Sequence, residues 1–203
     1  DLGGGGMMLA FGIVCAVLEA RASGKGQVVD AAVLDGAALL TSIVCELRAL
    51  GLWRDQRQTN LLDGGSHFYD TYECADGRWI SIGSLEPQFY ALLLQKLGLD
   101  KDPEFARQRD PAAWPALKAR LAALFRAQPA AHWCALFENT DVCFAPVLTT
   151  TEAAAHPHNV ARANFFESEG VVQPSPAPRF SRTPAARPGP APFIGEHDDE
   201  LLA

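Results

Sequence analysis

The sequence is short of positive charge, of pairable cysteines and of long apolar runs, and each shortage closes off a class of function. Against 24 Asp and Glu stand only 17 Lys and Arg, a net charge of -7 over 203 residues. Such a surface repels nucleic-acid phosphates and anionic lipid, so no nucleic-acid partner is expected. The five cysteines, Cys15, Cys45, Cys74, Cys134 and Cys143, are odd in number and contain no C-x-x-C pair. That excludes a zinc ribbon and a disulfide framework and points to a reducing, cytoplasmic location. The longest apolar run, residues 7–18, ends at Glu19 and Arg21. It is shorter than the ~20 residues a bilayer crossing takes, so it reads as a buried helix and no membrane partner is expected. A basic leader is missing, as is an initiator Met, and the chain is expected to be a piece of a longer protein.

What is present is 48% hydrophobic and 20% charged, enough for the core of one or two domains. Met7, Met8, Phe11, Val14 and Leu18 recur at helical spacing. A short β-branched stretch at 27–32 predicts a strand, and the apolar pattern of 33–50 predicts one helix ended by Gly51. After a polar linker, residues 68–74 and 78–84 flank Ala75-Asp76-Gly77, a strong hairpin signal. Glu86-Pro87 opens a helix with proline in its first turn. Helical stretches follow near 111–126 and 129–139, then a returning strand at 143–148. Seven of the 14 prolines fall between Pro174 and Pro192, which predicts an extended tail beyond residue 170 and then a helix start at 195–200. The fold class is α/β.

Candidate chemistry is sparse. Asp1, followed by Gly3, Gly4, Gly5 and Gly6 and then a helix, reads either as a capping carboxylate with glycines that let the chain turn, or as an acid/base or nucleophilic carboxylate beside backbone that a ligand approaches closely. The glycines form neither G-x-G-x-x-G nor a P-loop. Glu86 sits at a strand-to-helix junction, where side chains project from a rigid frame, but on pattern alone it reads first as an ordinary first-turn carboxylate. His67, Tyr69 and Asp70 are placed to line a pocket, although Phe68 and Tyr69 also suit a hairpin core. His156-Pro157-His158 is not a metal pair, because Pro157 breaks a helix and no further ligand lies at the right spacing.

The runs DLGGGGMM at 1–8, SGKGQVVDAA at 23–32 and NLLDGGSHFYDTYECADG at 60–77 resemble the family III CoA transferases (the CaiB/BaiF superfamily), in their α-methylacyl-CoA racemase branch. So do SLEPQFY at 84–90, APVL at 145–148, PRFSR at 178–182 and IGEHDDE at 194–200, in the same order. The resemblance implies part of a Rossmann-like large domain plus a small α+β domain. Residues 1–31 and 176–203 would belong to the large CoA-binding domain, 32–61 to a helical linker, 62–157 to the small domain and 158–175 to a second linker.

It also implies roles. Asp1 is similar to the carboxylate that exchanges the α-proton of the acyl-CoA, and Glu86 to the glutamate that hydrogen-bonds a partner histidine. Leu62, Gly64, Gly65, Tyr69 and Leu85 would touch substrate. The second base, a histidine, belongs to a segment upstream of Asp1. CoA enters as part of the substrate with no separate cofactor or metal, and the partner is a second copy in an interlocked homodimer. The expected reaction is epimerisation of 2-methylacyl-CoA thioesters, with this chain inactive alone. The alternatives are a CoA transferase working through an aspartyl anhydride, or a non-catalytic remnant.

Overall fold

Short elements joined by tight turns make up the computed structural model, which describes residues 1–202. Its contacts fall into two compact units, Asp1–Ala145 and Pro146–Ala203. The architecture is mixed α/β, with small sheets set among helices, as the composition and patterning predict.

The first unit opens with a wide π-helical turn, Leu2–Met7, that runs straight into α1 (Met8–Ser23). The glycines are therefore helical rather than a flexible loop. The reason lies across the interface: α2 (Val33–Leu40) presents Gly36, and a Cβ there would lie 1.8 Å from the Gly4 carbonyl oxygen. Only two glycines let these backbones approach so closely. The predicted single helix over 33–50 is broken at Thr41, whose hydroxyl donates to the Ala38 carbonyl at 2.9 Å, and α3 (Ser42–Ala49) resumes after it. The strand predicted at 27–32 does not form: these residues carry neither helix nor strand, since β-branched propensity becomes a strand only where a neighbouring strand supplies the pairing.

Two further expectations about α1 are corrected. No residue of α1 is buried, and Phe11, Val14 and Leu18 are each more than half exposed. The continuous helix Leu2–Ser23 also has 22 residues, so by length and composition it is long and apolar enough to cross a membrane. The apolar run 7–18 is only the middle of this helix, which Leu2 and the helical glycines extend at one end and Glu19–Ser23 at the other.

The remainder of the first unit is built on the predicted hairpin. β1 (Tyr69–Glu73) pairs antiparallel with β2 (Trp79–Gly83), Tyr69 opposite Gly83 and Asp70 opposite Ile82, and β3 (Phe144–Val147) completes the order β1-β2-β3. Alternation turns Tyr72, Ile80 and Ile82 toward the helices α4 (Pro87–Leu97), α5 (Trp114–Phe125) and α6 (Ala130–Phe137). Trp114, Leu117, Leu121 and Phe125 recur along one face of α5 and are buried with Phe68, Leu93 and Phe137. Each such side chain contributes ~1.5–3 kcal/mol.

In the second unit, α7 (Thr150–Ala155) opens with a capping box between Thr149 and Glu152. Pro157 starts α8 (Pro157–Ala161) instead of breaking a helix, since its missing N–H is no loss in a first turn. A second hairpin, β4 (Phe165–Ser168) with β5 (Val171–Pro174), occupies the place where the extended tail was expected to begin. The chain ends in α9 (Asp198–Leu202).

Candidate functional site

Leu62, Gly64 and Tyr69 come together on one cleft of about 500 Å³, between the turn before β1 and the edge formed by β1, β2 and the start of β3. Asp63, Asp70 and Cys143 add ionisable groups to its lining, beside the neutral polar Gln58, Thr71 and Ser81. The turn owes its shape to Asn60 and Asp63. Buried Asn60 donates its side-chain amide to Asp63 Oδ2 at 2.7 Å and to the Arg54 carbonyl at 3.0 Å, while accepting the Arg54 N–H at 2.7 Å. Asp63 Oδ1 takes the N–H groups of Asn60 and Gly65 at 2.9 and 3.1 Å. Desolvation pushes the Asp63 carboxyl up, but donation from the Asn60 side chain and from the N–H groups of Asn60, Gly65 and Thr59 outweighs it and leaves the group below its ordinary value.

Gly65 is not on the cleft. It lies behind the turn, where a Cβ would sit 2.6 Å from the Asn60 carbonyl oxygen, so its part is to let the knot close. Gly64 adopts φ +82° and turns its carbonyl toward α5. There Lys118 Nζ donates to Gly64 O at 2.5 Å and pairs with the Asp70 carboxylate. Asp70 lines the cleft as expected, but His67 does not, because its ring is wholly buried against Tyr90.

Glu86 is the exposed N-cap of α4, with an extended backbone and no side-chain capping bond. Its approach is rigid. Ser84 Oγ donates to the Val142 carbonyl at 2.6 Å, and the Leu85 carbonyl accepts from Gln108 Nε2 at 3.2 Å and Arg109 at 2.7 Å. Leu85 itself packs on the core and does not line the cleft. Glu86 is close enough to the cleft rim to act on Cys143, whose thiol is held above its ordinary value by desolvation and by the Glu86 and Asp141 carboxylates. Asp1, at the head of the first helical turn, accepts the N–H groups of Gly5 and Gly6 on its backbone carbonyl at 3.0 and 2.9 Å. Its exposed side chain makes no capping bond and stays available.

Asn60, Lys118 and Cys143 went unnoticed as site residues. Asn60 was visible as half of an Asn-x-x-Asp pair ahead of a Gly-Gly turn. Cys143 comes to the cleft, and Lys118 to the wall behind it, only through the tertiary fold.

Over its full length the chain is 46% identical to mouse and 44% identical to human α-methylacyl-CoA racemase. It is 30% identical to acetyl-CoA:oxalate CoA-transferase of Acetobacter aceti across 97% of its length. It spans about half the length of these relatives, 53% for the racemases and 51% for the transferase. Among solved structures, a CAIB/BAIF family protein from Brucella suis matches 98% of the chain with a TM-score of 0.72 at 22% identity, covering 53% of that chain. That likeness shows the fold. The model of CoA-transferase family III matches residues 1–198, and the chain belongs to that family.

Proposed function

We propose that this chain supplies the Asp1 carboxylate and the Glu86-bearing small domain of an acyl-CoA racemase. The substrate would be a 2-methylacyl-CoA thioester, and the working form a homodimer. The observation that carries the reading is the difference in identity, 46% to a racemase against 30% to a transferase, over nearly the same residues. The geometry is compatible with it. Asp1 has a side chain committed to no other bond, as a carboxylate that takes the α-proton must have, and the backbone leading into Glu86 is anchored at Ser84 and Leu85.

In this reading the Asp1 carboxylate removes the α-proton, and the electron pair of the broken C–H bond moves into the thioester carbonyl to give a planar enolate. A second base on the opposite face returns a proton to the carbon, and configuration inverts. That base comes from outside residues 1–203, and Glu86 holds it by hydrogen bonding. The chain alone therefore does not turn over.

The test uses the chain alone and the chain joined to the part of the mouse enzyme that it does not match. Each is assayed for isotope washout from the α-carbon of a 2-methylacyl-CoA. Washout from the chimera, reduced ~10²–10⁴-fold by Asp1→Asn, supports the reading. Washout that is absent, with CoA passing to an added carboxylic acid instead, makes the protein a transferase that uses Asp1 as nucleophile. Neither reaction in a folded chimera leaves a non-catalytic remnant.

A further inference from the structure

We propose that Lys118 is the positioning residue of the cleft: its ammonium clamps the Gly64 carbonyl and the Asp70 carboxylate together and so fixes the wall that carries Leu62 and Tyr69. The inference rests on the racemase reading, in which Leu62, Gly64 and Tyr69 touch the substrate, but its geometry stands without that reading.

The argument begins with strand alternation. Asp70 lies on the same face of β1 as Tyr72, which turns a carboxylate toward the helical layer rather than toward solvent. Its side chain is 19% exposed, and a carboxylate in that position needs a cation or several donors. One donor is local, the Thr71 N–H at 2.8 Å. The cation is Lys118, whose own side chain is 29% exposed, so the pair is largely withdrawn from water and less screened than a surface ion pair.

The second Lys118 bond reaches across to the turn. Asp63 and Asn60 already lock the turn upstream of Gly64, but nothing in that knot ties it to β1. Gly64 and Asp70 are adjacent at this point, since a Cβ on Gly64 would sit 3.4 Å from Asp70 Oδ1. Without the ammonium, a carbonyl oxygen and a carboxylate would face each other at short range, two acceptors with no proton between them. The turn would move away from the strand, taking Leu62 with it.

Charge points the same way. Among the residues lining the cleft are two carboxylates, Asp63 and Asp70, and no Lys or Arg. A CoA thioester is itself an anion, and its enolate adds negative charge. Asp63 is satisfied by neutral amide donors, whereas Asp70 has one amide donor, Thr71, and takes its opposing charge from Lys118 standing behind it. Lys118 therefore acts through Asp70 and Gly64 without lining the cleft.

Hydrogen exchange on the 203-residue chain tests this with no substrate present. In Lys118→Met the Gly65 N–H, which closes the turn onto Asp63, is expected to exchange at least about tenfold faster, while the Ile80 and Leu121 amides of the core stay within about twofold. Lys118→Arg, which keeps the charge and offers two donors, is expected to restore slow exchange at Gly65. Unchanged Gly65 exchange in Lys118→Met would overturn the proposal. Uniform acceleration through the core, or failure of arginine to restore protection in a folded variant, would overturn it too, since Lys118 would then be a general structural residue. Isotope washout by the chimera decides the racemase reading separately, so the two fail independently.

Discussion

His67 Nε2 lies 2.8 Å from the hydroxyl of Tyr90, and neither ring meets bulk water. Tyr90 donates its own proton to the Phe105 carbonyl at 2.9 Å, so its oxygen must accept from His67 and the imidazole carries its hydrogen on Nε2. Nδ1 is then a bare acceptor, and it is the one buried side-chain nitrogen or oxygen among the described residues without a hydrogen-bond partner. The backbone N–H of the same Tyr90 donates to the Glu86 carbonyl at 3.0 Å, which links this buried pair to the first turn of α4.

Burial pushes the His67 pKa down from 6.5 to about 4. The unfolded chain, with the ordinary value, binds this proton first as pH falls. The native state thus loses relative stability from about pH 6.5 down to about pH 4, and the loss levels off below that. The whole window is worth about 3 kcal/mol at 1.36 kcal/mol per unit. Urea unfolding at pH 7, 5.5 and 4.5 should show a steeper loss for the natural chain than for His67→Gln, whose amide still donates to Tyr90. Parallel curves for the two proteins would contradict the assignment.

A second expectation concerns the glycine interface. Gly36→Ala places a methyl group 1.8 Å from the Gly4 carbonyl oxygen, and backbone cannot swing aside as a side chain does. Overpacking of this kind costs ~1–3 kcal/mol or more, and here it falls on the contact between α2 and the first helical turn. Gly3→Ala, with open space around its Cβ, should instead stabilise the same turn by ~0.5–1 kcal/mol. Exchange rates of the α2 amides read both effects, and a Gly36→Ala chain as protected as the natural one would remove the close approach from consideration.

The contrast between these two sites shows what a sequence discloses. The β1–β2 hairpin was legible because Asp76-Gly77 is local turn chemistry, and Gly77 takes φ +74° where the turn demands it. The β4–β5 hairpin rests on the same chemistry, with Glu169 and Gly170 at φ +49° and +78°, but Glu-Gly is a weaker turn signal, and the prolines that follow from Pro174 on give the segment the texture of an extended tail. The exposure of α1 was not legible, since an apolar period says that a face seeks cover and not whether cover is there. Within the site, the turn at Asp63-Gly64-Gly65 and the junction at Glu86 could be read from neighbouring residues. Lys118 could not, because 54 positions separate it from Gly64 and the lysine gains its meaning only when α5 packs against β1.

The frame under Glu86 makes a third expectation. Ser84 is wholly buried and its hydroxyl donates to Val142 O at 2.6 Å. In Ser84→Ala that carbonyl loses its donor, at a cost of ~1–3 kcal/mol. Glu86→Gln should leave the thermal midpoint within about 1 °C, because the side chain is exposed and caps nothing. A midpoint lowered by several degrees in Glu86→Gln would mean that the carboxylate holds the fold together rather than serving the site.

The last expectation is that Asp1 and Glu86 act from different subunits. The proposed homodimer allows two arrangements: each subunit builds a site from its own pair of carboxylates, or each site draws Asp1 from one chain and Glu86 from the other. Asp1 heads a helical run that exposes Leu2, Met7 and Phe11, an apolar flank that a second chain could cover, whereas Glu86 belongs to the hairpin and α4. Mixing the Asp1→Ala and Glu86→Gln forms of the chimera separates the two arrangements. Each homodimer should be inactive. If sites are shared, a heterodimer gathers both lesions in one site and leaves the other intact, so about half of the activity per heterodimer returns. If each subunit builds its own site, every site keeps one lesion and nothing returns. Washout measured on heterodimers isolated through two different affinity tags decides between them, and no recovery there would put Asp1 and Glu86 in the same subunit.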